Sequence, residues 1–72
     1  MKKVYRLKDL DCANCAAKME RGINKIDGVN EASVNFMSQK LTIDADDARF
    51  EEIMDEVTRV CKRIEPDCLI LR

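Results

Sequence analysis

Histidine and tryptophan are absent from this chain, and its aromatic residues are limited to Tyr5, Phe36 and Phe50. Without histidine there can be no His-based catalytic dyad and no zinc site built on imidazole, which leaves Cys, Asp and Glu as candidate ligands. So few aromatics, with no basic block, offer nothing from which a nucleic-acid groove could be built. The longest purely aliphatic run is Leu69-Ile70-Leu71, far too short to span a membrane. Met1-Lys2-Lys3 leads straight into Val4-Tyr5-Arg6 with no apolar signal-peptide core, so nothing marks the chain for secretion. An excess of either charge is missing as well, since thirteen basic residues nearly cancel fourteen acidic ones.

What remains fits one small domain over residues 1–72 with a single modest core. A hydrophobic share of 46% beside 38% charged residues is the balance of a folded globule, not of a disordered tail. Four cysteines without an export signal are expected to stay reduced, in the cytosol.

Periodicity sets the order of elements. Lys3 to Leu7 reads as a strand with Tyr5 and Leu7 on one face. From about Ala13 to Ile26, Ala16, Met19, Ile23 and Ile26 recur at steps of three and four, the stripe of an amphipathic helix. Gly28 follows, where a glycine can take the left-handed conformation that closes a helix. Ala32, Val34 and Phe36 alternate with Glu31, Ser33 and Asn35, so the next strand has one wet face. Met37-Ser38-Gln39 then turns the chain into a strand from Lys40 to Asp44, with Leu41 and Ile43 facing the core.

A second helix is predicted from about Ala48 to Arg63. Phe50, Ile53, Val57, Val60 or Cys61, and Ile64 lie on its buried side. Acidic Glu51, Glu52, Asp55 and Glu56 occupy its first half, and basic Arg59, Lys62 and Arg63 its end, which complements the helix dipole. Pro66 stops it, and Cys68 to Leu71 forms the last strand. Two right-handed crossovers and one hairpin give an α+β fold, the ferredoxin-like βαββαβ sandwich, with two helices on one face of a four-stranded antiparallel sheet.

Cys12 and Cys15 sit where a loop becomes the first helix. Two-residue spacing lets both sulfurs converge on one ion, and a helix N-terminus favours the thiolate that metals require. Soft thiolates select ions such as zinc, cadmium, lead, mercury or cuprous copper over magnesium and calcium. Redox enzymes use the same spacing, so a dithiol oxidoreductase is the rival from the enzyme class. The chain lacks the tryptophan of the Trp-Cys-Gly-Pro-Cys context that such a role would want.

Leu7-Lys8-Asp9-Leu10-Asp11-Cys12-Ala13-Asn14-Cys15-Ala16 resembles the metal loop of the heavy-metal-associated domain family. The likeness extends through Ile26-Asp27-Gly28-Val29 and Ala32-Ser33-Val34-Asn35-Phe36. Asp11 before the first cysteine, and the ending Lys62-Arg63-Ile64-Glu65-Pro66-Asp67, are similar to the zinc-, cadmium- and lead-exporting branch of heavy-metal P-type ATPases. Asp9 and Leu10 stand where the family usually has Gly and Met, and Leu10 still supplies an apolar plug beneath the loop.

The resemblance implies a non-catalytic, monomeric, cytosolic N-terminal domain that takes Zn(II), Cd(II) or Pb(II) through Cys12 and Cys15, with Asp11 as third ligand. Its partners would be the remainder of a membrane ATPase or another metal-transfer domain. A free-standing chaperone for Cu(I) or mercury is the neighbouring alternative.

Other residues carry competing readings. Asp11 is also a favoured helix N-cap, as is Asn14. Cys61, on the apolar stripe, is expected to pack as a small hydrophobe, although the family fold would bring that end of the helix near the metal loop. Cys68 is expected in a core or edge position, and Met37 and Met54 in exposed or packed ones. Lys62 and Arg63 form either a solvated helix end or an offset to bis-thiolate charge. The acidic residues from Glu51 to Glu56 form a wet face.

Overall fold

The computed structural model describes residues 1–72. Strand β1 spans Lys2–Lys8, helix α1 Ala13–Asn24, strand β2 Val29–Asn35, strand β3 Lys40–Ala45, helix α2 Phe50–Ile64 and strand β4 Leu69–Leu71. The strands form one antiparallel sheet in the order β2-β3-β1-β4, with both helices on one face: the ferredoxin-like βαββαβ sandwich.

The alternation in the strands decides which side is dry. Tyr5 and Leu7 from β1, Ala32 from β2, and Leu41 and Ile43 from β3 point under the helices. Ala16, Met19 and Ile23 meet them from α1, and Phe50, Ile53, Met54, Val57 and Cys61 from α2. Gly22 brings the helices close together, since a Cβ there would lie 2.8 Å from Val60 Cγ1.

Two helix boundaries differ from the periodic pattern where specific hydrogen bonds intervene. Helix α1 ends at Asn24, not Ile26, as the N–H groups of Lys25 and Ile26 bond only three residues back, to the Gly22 and Ile23 carbonyls. The Asn24 amide, while still donating to the Glu20 carbonyl, pairs with an edge strand. Its Nδ2 donates to the Ala32 carbonyl at 2.9 Å, and its Oδ1 accepts from the Ala32 N–H at 2.9 Å. Glu20 Oε1 accepts from the Val34 N–H at 2.8 Å. These side chains occupy the outer groups of β2 that would otherwise invite another chain.

Gly28 is left-handed as expected, at φ 98°, but it shapes the turn into β2 and does not cap α1, whose C-cap is Lys25. Helix α2 begins two residues later than expected. Asp46 Oδ1 accepts from the Ala48 N–H at 3.1 Å and closes a short 3₁₀ turn over Asp47–Arg49. At its far end Glu65 takes extended angles, φ −138° and ψ 89°, as a residue before proline favours. Cys68 lies just ahead of β4, which starts at Leu69.

Asn24→Asp keeps the size of the side chain but removes the donor to Ala32. The substitution is expected to lower stability by about 1–2 kcal/mol, read as a lower urea midpoint with unchanged slope. An unmoved midpoint would show that the edge bond adds nothing.

Candidate metal centre

The loop from β1 to α1 is held at several points. Asp9 turns it with a left-handed φ of 62°, which aspartate adopts more readily than most residues. Leu10 then drops into the core and is 2% exposed, the apolar plug expected at this position. Asp11 is exposed on the far side of the plug.

Neither Asp11 nor Asn14 caps α1. The cap is Cys12 itself, at φ −130° and ψ 117°, whose Sγ accepts from the Cys15 N–H at 3.2 Å. The Cys12 carbonyl accepts the first helical bond, from the Ala16 N–H at 3.0 Å. The first turn of α1 carries no acidic side chain, so the positive end of the helix faces sulfur alone.

The two thiols are placed differently as acids. Cys12 is lowered, first by the hydrogen bond that the Cys15 thiol donates to it, then by the backbone N–H groups of Cys15 and Asn14. Cys15 is pushed up to about 11, chiefly because its proton is held by the Cys12 sulfur, with burial and negative charge adding to the effect. The Cys15 proton is thus held toward the Cys12 sulfur.

The negative charge of Glu65 acts on both thiols and raises each of them. Of the two readings that the sequence left open for Lys62 and Arg63, their exposure on the last turn of α2 fits the solvated helix end. The signal that could have singled out Glu65 is Pro66. It forces the preceding residue out of the helix, at the end the fold brings beside the loop.

The remaining cysteines are packing residues in contact with each other's surroundings. Cys61 is 1% exposed, and burial pushes its thiol up to about 12. Cys68 is 3% exposed and raised by burial, then by the carboxylates of Glu65, Asp9 and Asp11. Met54 is fully buried, and Met37 is 89% exposed on the hairpin turn. No three of the Cys, Asp and Glu side chains are gathered closely enough to hold one ion together. No helix is long and apolar enough to cross a membrane.

The ferredoxin-like sandwich with paired cysteines ahead of α1 is the architecture of a small heavy-metal-associated domain. The chain belongs to the heavy-metal-associated domain family, whose pattern matches residues 4–63. It is 39% identical over 66 residues to the cadmium, zinc and cobalt-transporting ATPase of Bacillus subtilis strain 168, an alignment covering 92% of this chain and 9% of that protein. The chain therefore spans under a tenth of that relative's length.

Among solved structures, the CopZ metallochaperone superposes with a TM-score of 0.76 at 18% identity, covering 99% of this chain and 100% of the other. The N-terminal domain of a potential copper-translocating P-type ATPase from Bacillus subtilis, in its Cu(I)-loaded state, matches at TM-score 0.67 and 28% identity. That alignment covers 82% of this chain and 76% of the other.

A divalent ion that takes both sulfurs must displace the proton that Cys15 holds toward Cys12. Binding should therefore release one proton above the depressed Cys12 pKa and two below it. Apparent affinity is expected to rise with pH, by about tenfold per unit while one proton is released. Cadmium titrations in weakly buffered solution near pH 7 and pH 9 measure both quantities, and pH-independent binding would rule out thiolate capture.

Proposed function

We propose that this chain captures a soft metal ion between Cys12 and Cys15 and passes it on by ligand exchange. It would do so as the cytosolic N-terminal domain of a heavy-metal exporting P-type ATPase. The observation that carries this reading is the thiol pair at the head of α1, where one sulfur already accepts a helix amide. The capture loop is exposed and brings together only two ligands. An incoming thiolate from a partner domain can add to such an ion before either of these sulfurs leaves. A closed four-ligand site would retain its metal.

The identity of the ion rests on two sets of observations. Zinc, cadmium or lead is favoured by carboxylates at hand: Asp11 adjoins Cys12 in sequence, and the charge of Glu65 acts on both thiols. Oxygen is a good ligand for zinc and a poor one for cuprous copper. The relative named as a cadmium, zinc and cobalt transporter supports the same choice. In this reading Asp11, or Glu65 in its place, swings in as third ligand when the ion arrives.

The second reading is delivery of Cu(I) or mercury by a free-standing chaperone. Two thiols are a complete ligand set for those ions, and the loop as it stands supplies two. The Cu(I)-loaded ATPase domain at 28% identity supports it.

Competition titrations of the reduced protein with zinc, cadmium, lead and cuprous copper test the proposal. Cys12→Ser with Cys15→Ser is expected to abolish tight binding of every ion. Cys61→Ala with Cys68→Ala should leave most of it, and the reverse result would overturn the site. If a carboxylate is a ligand, Asp11→Asn or Glu65→Gln should lower zinc affinity by on the order of tenfold, a loss of ~1.4 kcal/mol, and leave copper unchanged. Zinc affinity unmoved by both changes would leave the copper reading standing.

A further inference from the structure

Gln39 ends the turn between β2 and β3 with a left-handed φ of 56°. Steric preference at such a position favours glycine or asparagine, so the backbone does not explain a glutamine. Its side chain does. Gln39 Oε1 accepts from the Leu10 N–H at 3.1 Å, while Nε2 donates to the Leu10 carbonyl at 2.7 Å and to the Phe36 carbonyl at 3.0 Å. The Gln39 carbonyl also accepts from the Leu7 N–H at 2.8 Å.

The pairing of β1 with β3 ends at Arg6 opposite Lys40. Leu10 lies beyond it and has no strand to bond to. The carboxamide extends the ladder by imitating a backbone partner, with one donor and one acceptor on the same peptide segment. Among side chains only Gln and Asn carry the C=O and N–H of an amide side by side, as a peptide group does. With its N–H and C=O held and its side chain 2% exposed, Leu10 is fixed one residue before Asp11 and two before Cys12.

We infer that Gln39 is a positioning residue for metal capture: its carboxamide clamps the Leu10 backbone and thereby sets where the loop delivers Cys12 relative to Cys15. The inference rests on Cys12 and Cys15 being the capture pair. The clamp restrains the loop from a different part of the chain, so the hairpin tunes how readily the first sulfur lets go of an ion.

The test uses the reduced 72-residue chain with cadmium ion alone as probe. Gln39→Asn suits the left-handed turn at least as well as glutamine but is one methylene too short to reach both Leu10 groups. Gln39→Glu reaches and keeps the acceptor but loses the donors. Amide hydrogen exchange of Leu10 to Cys12 is followed in the apo protein, cadmium release by competition with a chelator, and apo stability by thermal melting.

The Asn variant should exchange at Leu10 and release cadmium faster, each by on the order of tenfold, the effect of losing about one net hydrogen bond. The Glu variant should fall between it and wild type. Melting should fall by no more than the several degrees that one lost hydrogen bond accounts for, and exchange in β2 and β3 should rise by no more than that loss explains. Cadmium release at the wild-type rate from the Asn variant, or faster release only in step with lost stability across the hairpin, would overturn the clamp. Cys12→Ser with Cys15→Ser is run in parallel. If that protein loses cadmium while Gln39→Asn behaves as wild type, the clamp alone fails. If it retains cadmium, the capture reading fails and the inference with it.

Discussion

The burial of Leu10 is the contact on which the capture loop depends. Four residues separate the end of β1 at Lys8 from the start of α1 at Ala13. In that interval the chain must reverse out of the sheet, enter a helix and leave two sulfurs accessible. A loop this short, carrying charged Asp9 and Asp11, has little apolar material with which to hold itself against solvent. Leu10 provides an anchor of about 2 kcal/mol by side-chain burial alone, and the left-handed Asp9 aims it inward. Once Leu10 is seated, Cys12 is carried to the helix N-terminus, where its sulfur serves as the cap. Structural cap and proposed metal ligand are then the same atom.

That dual use explains why the four cysteines behave as two kinds. A sulfur accepting a helix amide is stabilised as thiolate, whereas a sulfur surrounded by side chains is stabilised as thiol. Cys12 belongs to the first kind, and Cys61 and Cys68 to the second. Cys15 stands between them, its proton held by its neighbour until an ion replaces it. Cys68 lies close enough to feel Asp9 and Asp11, yet burial and that negative charge keep it protonated. Proximity to the loop is therefore not enough to make a ligand. The electrostatic environment makes the selection, and it selects the pair at the helix terminus.

The fold was legible in the sequence because it rests on periodicity, which is a local property. Tyr5 with Leu7, Leu41 with Ile43, and the stripe from Phe50 through Val57 each declare a face within a few residues. The motif was legible for the same reason, since Cys12 and Cys15 adjoin the start of a helix that announces itself. Side-chain bonds that cross the chain were hidden. Asn24 reaches Ala32, Glu20 reaches Val34, and Gln39 reaches Leu10 across 29 positions. Polar residues at element ends look alike in sequence whether they face water or a distant backbone group. The assignment of the α1 cap failed for a related reason. Asp and Asn are the usual caps, and the sulfur of Cys12 took the place because its own backbone angles already matched the Ncap position.

A domain that moves metal needs a ligand pair that is defined but not deeply held. Defined geometry comes from elements that do not touch the ion: Leu10 in the core, Gln39 from the hairpin, and α1 fixed against β2 by Asn24 and Glu20. Easy release comes from the sulfurs themselves, both only part-buried. Had the site been closed by Cys61 and Cys68 as well, four thiolates would have surrounded the ion and exchange would have required the core to open. Their retreat into the core leaves an ion on Cys12 and Cys15 open to an approaching thiolate. The carboxylates of Asp11 and Glu65 are then the groups that can distinguish one soft ion from another without closing the route by which it leaves.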